Sequence, residues 1–167
     1  FITNPNMRPQ RKISYMIGFK QKVSDRSALT ISTFYDELRD MLHIIELPGA
    51  YPKQYLTLDN LDWGTVKGFI FDYDLRKTKN FEIDASYTLQ FAEGTATSQS
   101  SGVSFVGIAN LKTPVPLDFD NRHAFKLNLS YGFEDGEGPV LFDKKIFQNT
   151  VASFSMVTRS GTPYTKQ

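Results

Sequence analysis

Between Phe81 and Phe91 apolar and polar residues alternate without a break, Phe-Glu-Ile-Asp-Ala-Ser-Tyr-Thr-Leu-Gln-Phe. His123 to Phe133 nearly repeats the pattern, His-Ala-Phe-Lys-Leu-Asn-Leu-Ser-Tyr-Gly-Phe. Successive side chains of a strand point to opposite sides of the pleat, so a period of two predicts strands with one apolar and one polar face. Their length narrows the choice. Soluble strands run to ~5–6 residues, whereas a strand crossing an outer membrane needs ~9–11 residues at a tilt of roughly 45°. About 11 residues rising ~3.3 Å each, tilted by ~40°, climb roughly 28 Å, close to the ~25 Å apolar band of a membrane barrel.

Six stretches carry this alternation: Lys12–Val23, Ala28 to about Leu42, Thr65–Arg76, Phe81–Ala92, Arg122–Phe133 and Thr150–Arg159. Asp36-Glu37-Leu38-Arg39-Asp40 also suits a helix on propensity, but the alternating half before it sets a strand register. Ser24–Ser27 and Lys77–Asn80 are short polar turns, while His43–Trp63 and Glu93–Asn121 are long connections and Glu134–Asn149 is intermediate. Hairpins that alternate short and long put short turns at one rim and long loops at the other, as outer-membrane barrels do. The expected fold is therefore all-β, an antiparallel transmembrane β-barrel to which this chain supplies about six sequential hairpin strands. On this reading Ser24–Ser27, Lys77–Asn80 and Glu134–Asn149 face the periplasm. A sheet with one solvated face shows the same alternation, so a soluble sandwich or lipocalin-like ligand-binding barrel is the alternative. Phe69, Phe71, Phe81, Ile83, Leu89, Phe125, Leu127 and Phe154 are expected on one outer face, with Glu82, Asp84, Lys126, Asn128 and Ser153 on the other.

Composition changes the picture in three ways. Lys+Arg is 19 and Asp+Glu is 18 in 167 residues, a net charge of +1, which gives no electrostatic case for nucleic acid. Cysteine is absent, which excludes disulfides, thiolate zinc sites and thiol catalysis. Phe 14 and Tyr 8 against one Trp suit aromatic girdles at membrane interfaces. The chain opens on Phe1 without a signal peptide and reads as an interior piece of a longer polypeptide.

The stretches ISYMIGFKQKVSDRSALTISTFYDELRDML, GTVKGFIFDYDLRKTKNFEIDASYTLQFAEGT, PLDFDNRHAFKLNLSYGF, GPVLFDKKIFQNT and RSGTPYT resemble the middle of the barrel in TonB-dependent outer-membrane receptors. The closest subgroup often carries a carboxypeptidase-regulatory-like N-terminal domain. The resemblance implies a 22-stranded barrel closed by a plug, importing a scarce nutrient across the outer membrane with energy delivered through TonB. The partners it implies are outer-membrane lipid, the plug domain of the same polypeptide, the TonB system and a surface lipoprotein. The plug and the N- and C-terminal barrel strands lie outside these 167 residues, which form part of one barrel domain. A non-transporting adhesion barrel is the other membrane alternative.

Chemistry-bearing residues point to structure. His43 and His123 are the two histidines, and their spacing suggests no zinc site; His123 is expected at headgroup height. Asp118, Asp120 and Asn121 resemble a calcium-loop fragment that lacks the required glycine and closing glutamate, so no metal and no cofactor is expected. Asp72, Asp74, Glu82 and Asp84 gather near one turn, as a charged wall facing a plug. Ser153 and Ser155 have no histidine in register, and no enzymatic activity is expected. Ligand contacts are expected from the outer loops and upper lumen: Tyr51, Tyr55 and Trp63 as aromatic groups, with Asp59, Asn60 and Arg122 as polar ones.

Overall fold

In the computed structural model, which describes residues 3–46, 55–95, 113–141, 144–145 and 147–163, every helix-or-strand element is a strand. They are β1 (Arg11–Ser24), β2 (Ser27–Glu46), β3 (Leu56–Thr78), β4 (Phe81–Gly94), β5 (Val115–Pro116), β6 (His123–Gly132), β7 (Val140–Leu141), β8 (Lys144–Lys145) and β9 (Val151–Arg159). Seven of them build one antiparallel sheet in the order β1-β2-β3-β4-β6-β9, with β5 pairing β4 beyond the end of β6. β7 and β8 form a separate two-stranded ribbon within the β6–β9 connection. All-β, antiparallel and sequentially hairpinned, the sheet matches the sequence expectation.

Register converts the alternation into two continuous faces. Across the strands, Ile17, Thr33, Phe69, Leu89 and His123 form one row, and Phe19, Ile31, Phe71, Tyr87, Phe125 and Thr158 the next. Gln21, Leu29, Tyr73, Ala85, Leu127 and Met156 follow, then Ser27, Leu75, Ile83, Leu129 and Phe154. None of these four rows holds Asp, Glu, Lys or Arg. The opposite face between the same heights carries Lys20, Lys22, Asp72, Asp74, Asp84 and Lys126. The eight residues expected on one face share it, and the five expected on the other share that one.

The apolar face is exposed. Phe69 is 47% exposed, Phe81 47% and Phe154 55%, so this set does not pack into a common interior. Among the described residues, the buried apolar side chains form one small cluster on the polar face, near the long connections. Val66, Ala92 and Leu117 form it, with Phe34 and Leu38 packed against them. Space for it comes from glycine. A Cβ at Gly68 would collide with the Leu89 carbonyl oxygen and lie 2.9 Å from the Phe34 ring. At Gly94 it would lie 3.0 Å from a Leu117 methyl. Large side chains from neighbouring segments thus occupy the volume the glycines leave.

The strands outrun their expected bounds at the long-connection end. His43–Trp63 was expected as a loop, yet β2 continues to Glu46 and β3 begins at Leu56, paired from Glu46–Leu56 onward. Alternation fades there, while the ladder itself continues. Asp36–Asp40 stays in the strand, and its mixed propensity surfaces as a bulge between Leu38 and Met41, with Asp40 at φ 57. Aspartate tolerates that left-handed conformation better than most residues. At the other end the turns are tight. Ser24 and Ser27 share a hydroxyl hydrogen bond of 2.7 Å, and Lys79 sits at φ 57 in the β3–β4 turn.

Lys77 donates to Glu134 at 2.7 Å, tying that turn to the connection after β6. The hydrogen bond from Lys77, and its charge, hold the Glu134 carboxyl below the ordinary glutamate range. A carboxyl lowered on folding favours the fold above its unfolded value and ceases to as pH falls through the folded one. Acidification therefore releases this tie only once the pH falls below the ordinary glutamate range.

Replacing Gly68 by valine in the full-length protein is expected to destabilise it by about 1–3 kcal/mol, the range for overpacking. Valine at Gly161, where a Cβ meets nothing within 4 Å, is expected to leave stability unchanged. Unfolding midpoints in urea check both, and equal midpoints for the two variants would refute the packing account.

Candidate functional site

The polar chemistry of the chain concentrates where β2, β3, β4 and the segment before β6 meet. Asp62, on the polar register of β3, is 3% exposed. Its Oδ2 lies 2.7 Å from His43 Nδ1 on β2, and its Oδ1 accepts from Thr95 Oγ1 at 2.9 Å. The Thr95 hydroxyl in turn accepts from the Trp63 amide at 3.1 Å, while the Thr95 amide donates to the Trp63 carbonyl at 3.0 Å. One buried carboxylate thus joins β2, β3 and the end of β4. A buried acid with both oxygens occupied is stable where it sits.

A second clamp closes the gap between β5 and β6. The chain leaves the β4 ladder there, and the Asp120 carboxylate takes the place of a strand carbonyl. Asp120 is 4% exposed, and its Oδ1 accepts from the Ala92 amide at 3.0 Å. The Leu117 amide donates to the Ala92 carbonyl at 2.9 Å, which sets the Leu117 side chain over Gly64 and Gly94. Arg122 pairs with Asp120 at 3.1 Å and holds its guanidinium 4.8 Å from the centre of the Phe91 ring.

Of the expected ligand residues that the structure describes, Asp59 and Asn60 share a hydrogen bond. Tyr51 lies outside the described residues. Tyr55 precedes β3 and is 39% exposed. Asp59 accepts from the Asn60 amide at 2.9 Å, a local contact within β3. Asn60 is a brace: its side chain donates to the Asp40 carbonyl at 2.6 Å and the Arg8 carbonyl at 2.9 Å, and accepts from the Arg8 amide. It thereby fills the β2 bulge and pins the N-terminal segment. Trp63 is exposed and stands on the opposite register from Asp62. Arg122 pairs with Asp120, and its guanidinium rests on Phe91, a residue of the apolar face.

The acid cluster near the β3–β4 turn spreads across the polar face. Asp74 and Asp84 stand directly opposite each other. Asp84 accepts from Asn128 at 3.0 Å, and Asn128 accepts from Ser155 at 2.8 Å; Asp72 accepts from Ser86 at 2.6 Å. Asp74 and Glu82 have no such partner among the described residues. His123 is exposed and stacks on Tyr87, with its Nδ1 2.8 Å from the phenol oxygen. Sequence reasoning missed the His43–Asp62–Thr95 clamp, since it joins residues whose proximity depends on register. Among the described residues no group of three or more His, Cys, Asp or Glu is placed to hold a metal ion.

No protein-family profile matches the chain, and no solved structure matches it. Over 130 residues, 76% of this chain, it is 27% identical to inositol polyphosphate multikinase of Saccharomyces cerevisiae. The chain spans about a third, 35%, of the length of that relative. The expectation of a chain without enzymatic activity is corrected by this similarity, which is to a kinase.

Asp62→Ala strands the His43 and Thr95 side chains, and a loss of about 1–3 kcal/mol is expected. Asp62→Asn keeps an acceptor and is expected to lose less. Asp120→Ala is expected to speed hydrogen exchange at the Ala92 amide. Unchanged exchange there, or equal unfolding midpoints for the two Asp62 variants, would contradict the clamp roles.

Proposed function

We propose that this sheet is a section of an outer-membrane β-barrel wall, apolar face to lipid and polar face to the lumen, in a TonB-dependent receptor importing a scarce nutrient. The observation that carries the reading is the set of four adjacent rows without a charged residue on an exposed face. At ~3.3 Å per residue and two residues per row, they and their bounding rows cover roughly the ~25 Å apolar band such barrels present. Aromatic residues bound them: Tyr15 and Tyr35, 6.4 Å apart, on one side, and Phe81, Tyr131 and Phe133 in contact on the other. A soluble sheet buries such a face, because a contiguous apolar patch beyond a few hundred Å² is a liability in water.

On this reading the polar face meets a plug from the same polypeptide. Like charges directly opposite on a sheet are destabilising, so the Asp74–Asp84 pair calls for a cation approaching from the lumen. A plug Lys or Arg supplies it. Barrel completion, to the 22 strands of the family it resembles, comes from strands beyond this segment. The substrate enters from the side of the long connections.

A second reading rests on the similarity to the multikinase: phosphoryl transfer to an inositol polyphosphate. Transfer of labelled phosphate from ATP to an inositol polyphosphate by the purified full-length protein would establish it.

The barrel reading is tested by single cysteines at positions 71, 72, 73, 125, 126 and 127 of the full-length protein, in a background without other cysteines. Fluorophores at 71, 73, 125 and 127 are expected to be quenched by brominated acyl chains, and those at 72 and 126 are not. Uniform quenching, or none, would remove the membrane assignment.

A further inference from the structure

The row that caps the charge-free belt at the long-connection end reads Tyr15, Tyr35, Lys67, Phe91 across β1 to β4. Lys67 is exposed there, between Tyr35 and Phe91 in register, with Phe69 one row below it. Among the described residues it has no carboxylate partner, unlike Lys12 with Asp36, Lys22 with Asp25 and Lys77 with Glu134. A second cation joins it. The Arg122 guanidinium lies over the Phe91 ring at 4.8 Å, so two positive groups flank one aromatic side chain at the edge of the belt.

We propose that Lys67 and Arg122 form a binding site for the phosphate of an anionic membrane lipid, with Phe91 and Tyr35 against the first carbons below the headgroup. The inference rests on the barrel reading, which sets this row at the level where acyl chains give way to headgroups. The chemistry is complementary. A planar guanidinium held by stacking presents its N–H edge to phosphate oxygens, and a lysine stem lies along apolar surface while its ammonium reaches the headgroup. Arg122 already shares Asp120 at 3.1 Å, which orients the guanidinium and leaves further N–H donors. The neighbouring acids do not close the site. Glu37, one row farther from the belt, is held by Arg39 at 2.6 Å; Glu93, in that same row, makes no ion pair with Lys67 among the described residues.

The test is lipid retention by the full-length protein, purified in detergent, exposed to equal phosphatidylglycerol and phosphatidylcholine, and read by native mass spectrometry. Each basic residue near an anionic surface contributes a preference of about fivefold. Lys67→Gln is therefore expected to lower the phosphatidylglycerol preference about fivefold, and Lys67→Gln with Arg122→Gln about 25-fold. Glu93→Gln is expected to raise it. Lys126→Gln, on the polar face, is expected to leave it unchanged. Equal retention of the two lipids by the unmodified protein, or an equal fall with Lys126→Gln, overturns the site while the barrel stands. Displacement of the bound lipid by millimolar inorganic phosphate overturns the lipid assignment in favour of a free anion. Failure of the protein to enter bilayers at all takes down the barrel reading and this site together.

Discussion

Strand register is the constraint on which the rest of this structure depends. Each side chain lies on one of two faces, and a slip of one residue in any pairing would transfer a whole strand's apolar set to the polar side. Across β3, β4 and β6 the register holds unbroken from Gly64–Gly94 to Leu75–Ile83 and from Phe81–Tyr131 to Leu89–His123. Short turns anchor it at one end. At the other, shape does: Phe34 fits over Gly68 and Leu117 over Gly64 and Gly94. Shifting β3 by one residue would put Phe69 or Lys67 beneath Phe34, where there is no room for either.

This arrangement inverts the usual division of labour in a sheet. The buried cluster of Val66, Ala92 and Leu117 lies on the face that also holds most of the charges, and it is small. The large apolar side chains stand on the other face, exposed. Cohesion among the described residues therefore comes chiefly from backbone ladders, cross-strand pairs and a few buried carboxylates used as fasteners. Asp62 and Asp120 are worth more here than in a protein with a thick core. Each secures a place where the ladder is interrupted or where strands end, and each has its oxygens occupied.

Legibility in the sequence followed the same physics. Residue type alternates through the central parts of β1 to β4, β6 and β9, which could be read directly. Beyond the belt that alternation vanishes. Leu56 to Trp63 reads Leu-Thr-Leu-Asp-Asn-Leu-Asp-Trp, a string without a clear period, although it continues β3. The fasteners were illegible for another reason. Asp62 reaches His43 across 19 residues and Thr95 across 33, and no local pattern marks such a pairing. Asn60, read as a polar ligand group, has its side chain fully engaged by Asp40 and Arg8.

The edges carry the argument one step further. β1 and β9 each have a single neighbour in the sheet, so each presents a row of N–H and C=O groups to whatever lies beside it. In water such groups hydrate, at the risk of pairing with another chain. In hydrocarbon they have no such recourse, and a sheet there must continue until it closes on itself. The belt of uncharged rows runs through both edge strands, from Ile17 and Phe19 on β1 to Phe154 and Met156 on β9. On the barrel reading, the unpaired edges and the exposed apolar face therefore pose one requirement. Further strands must extend the sheet on both sides, carrying the same charge-free rows in register, before either the backbone or the side chains of this segment reach a stable environment.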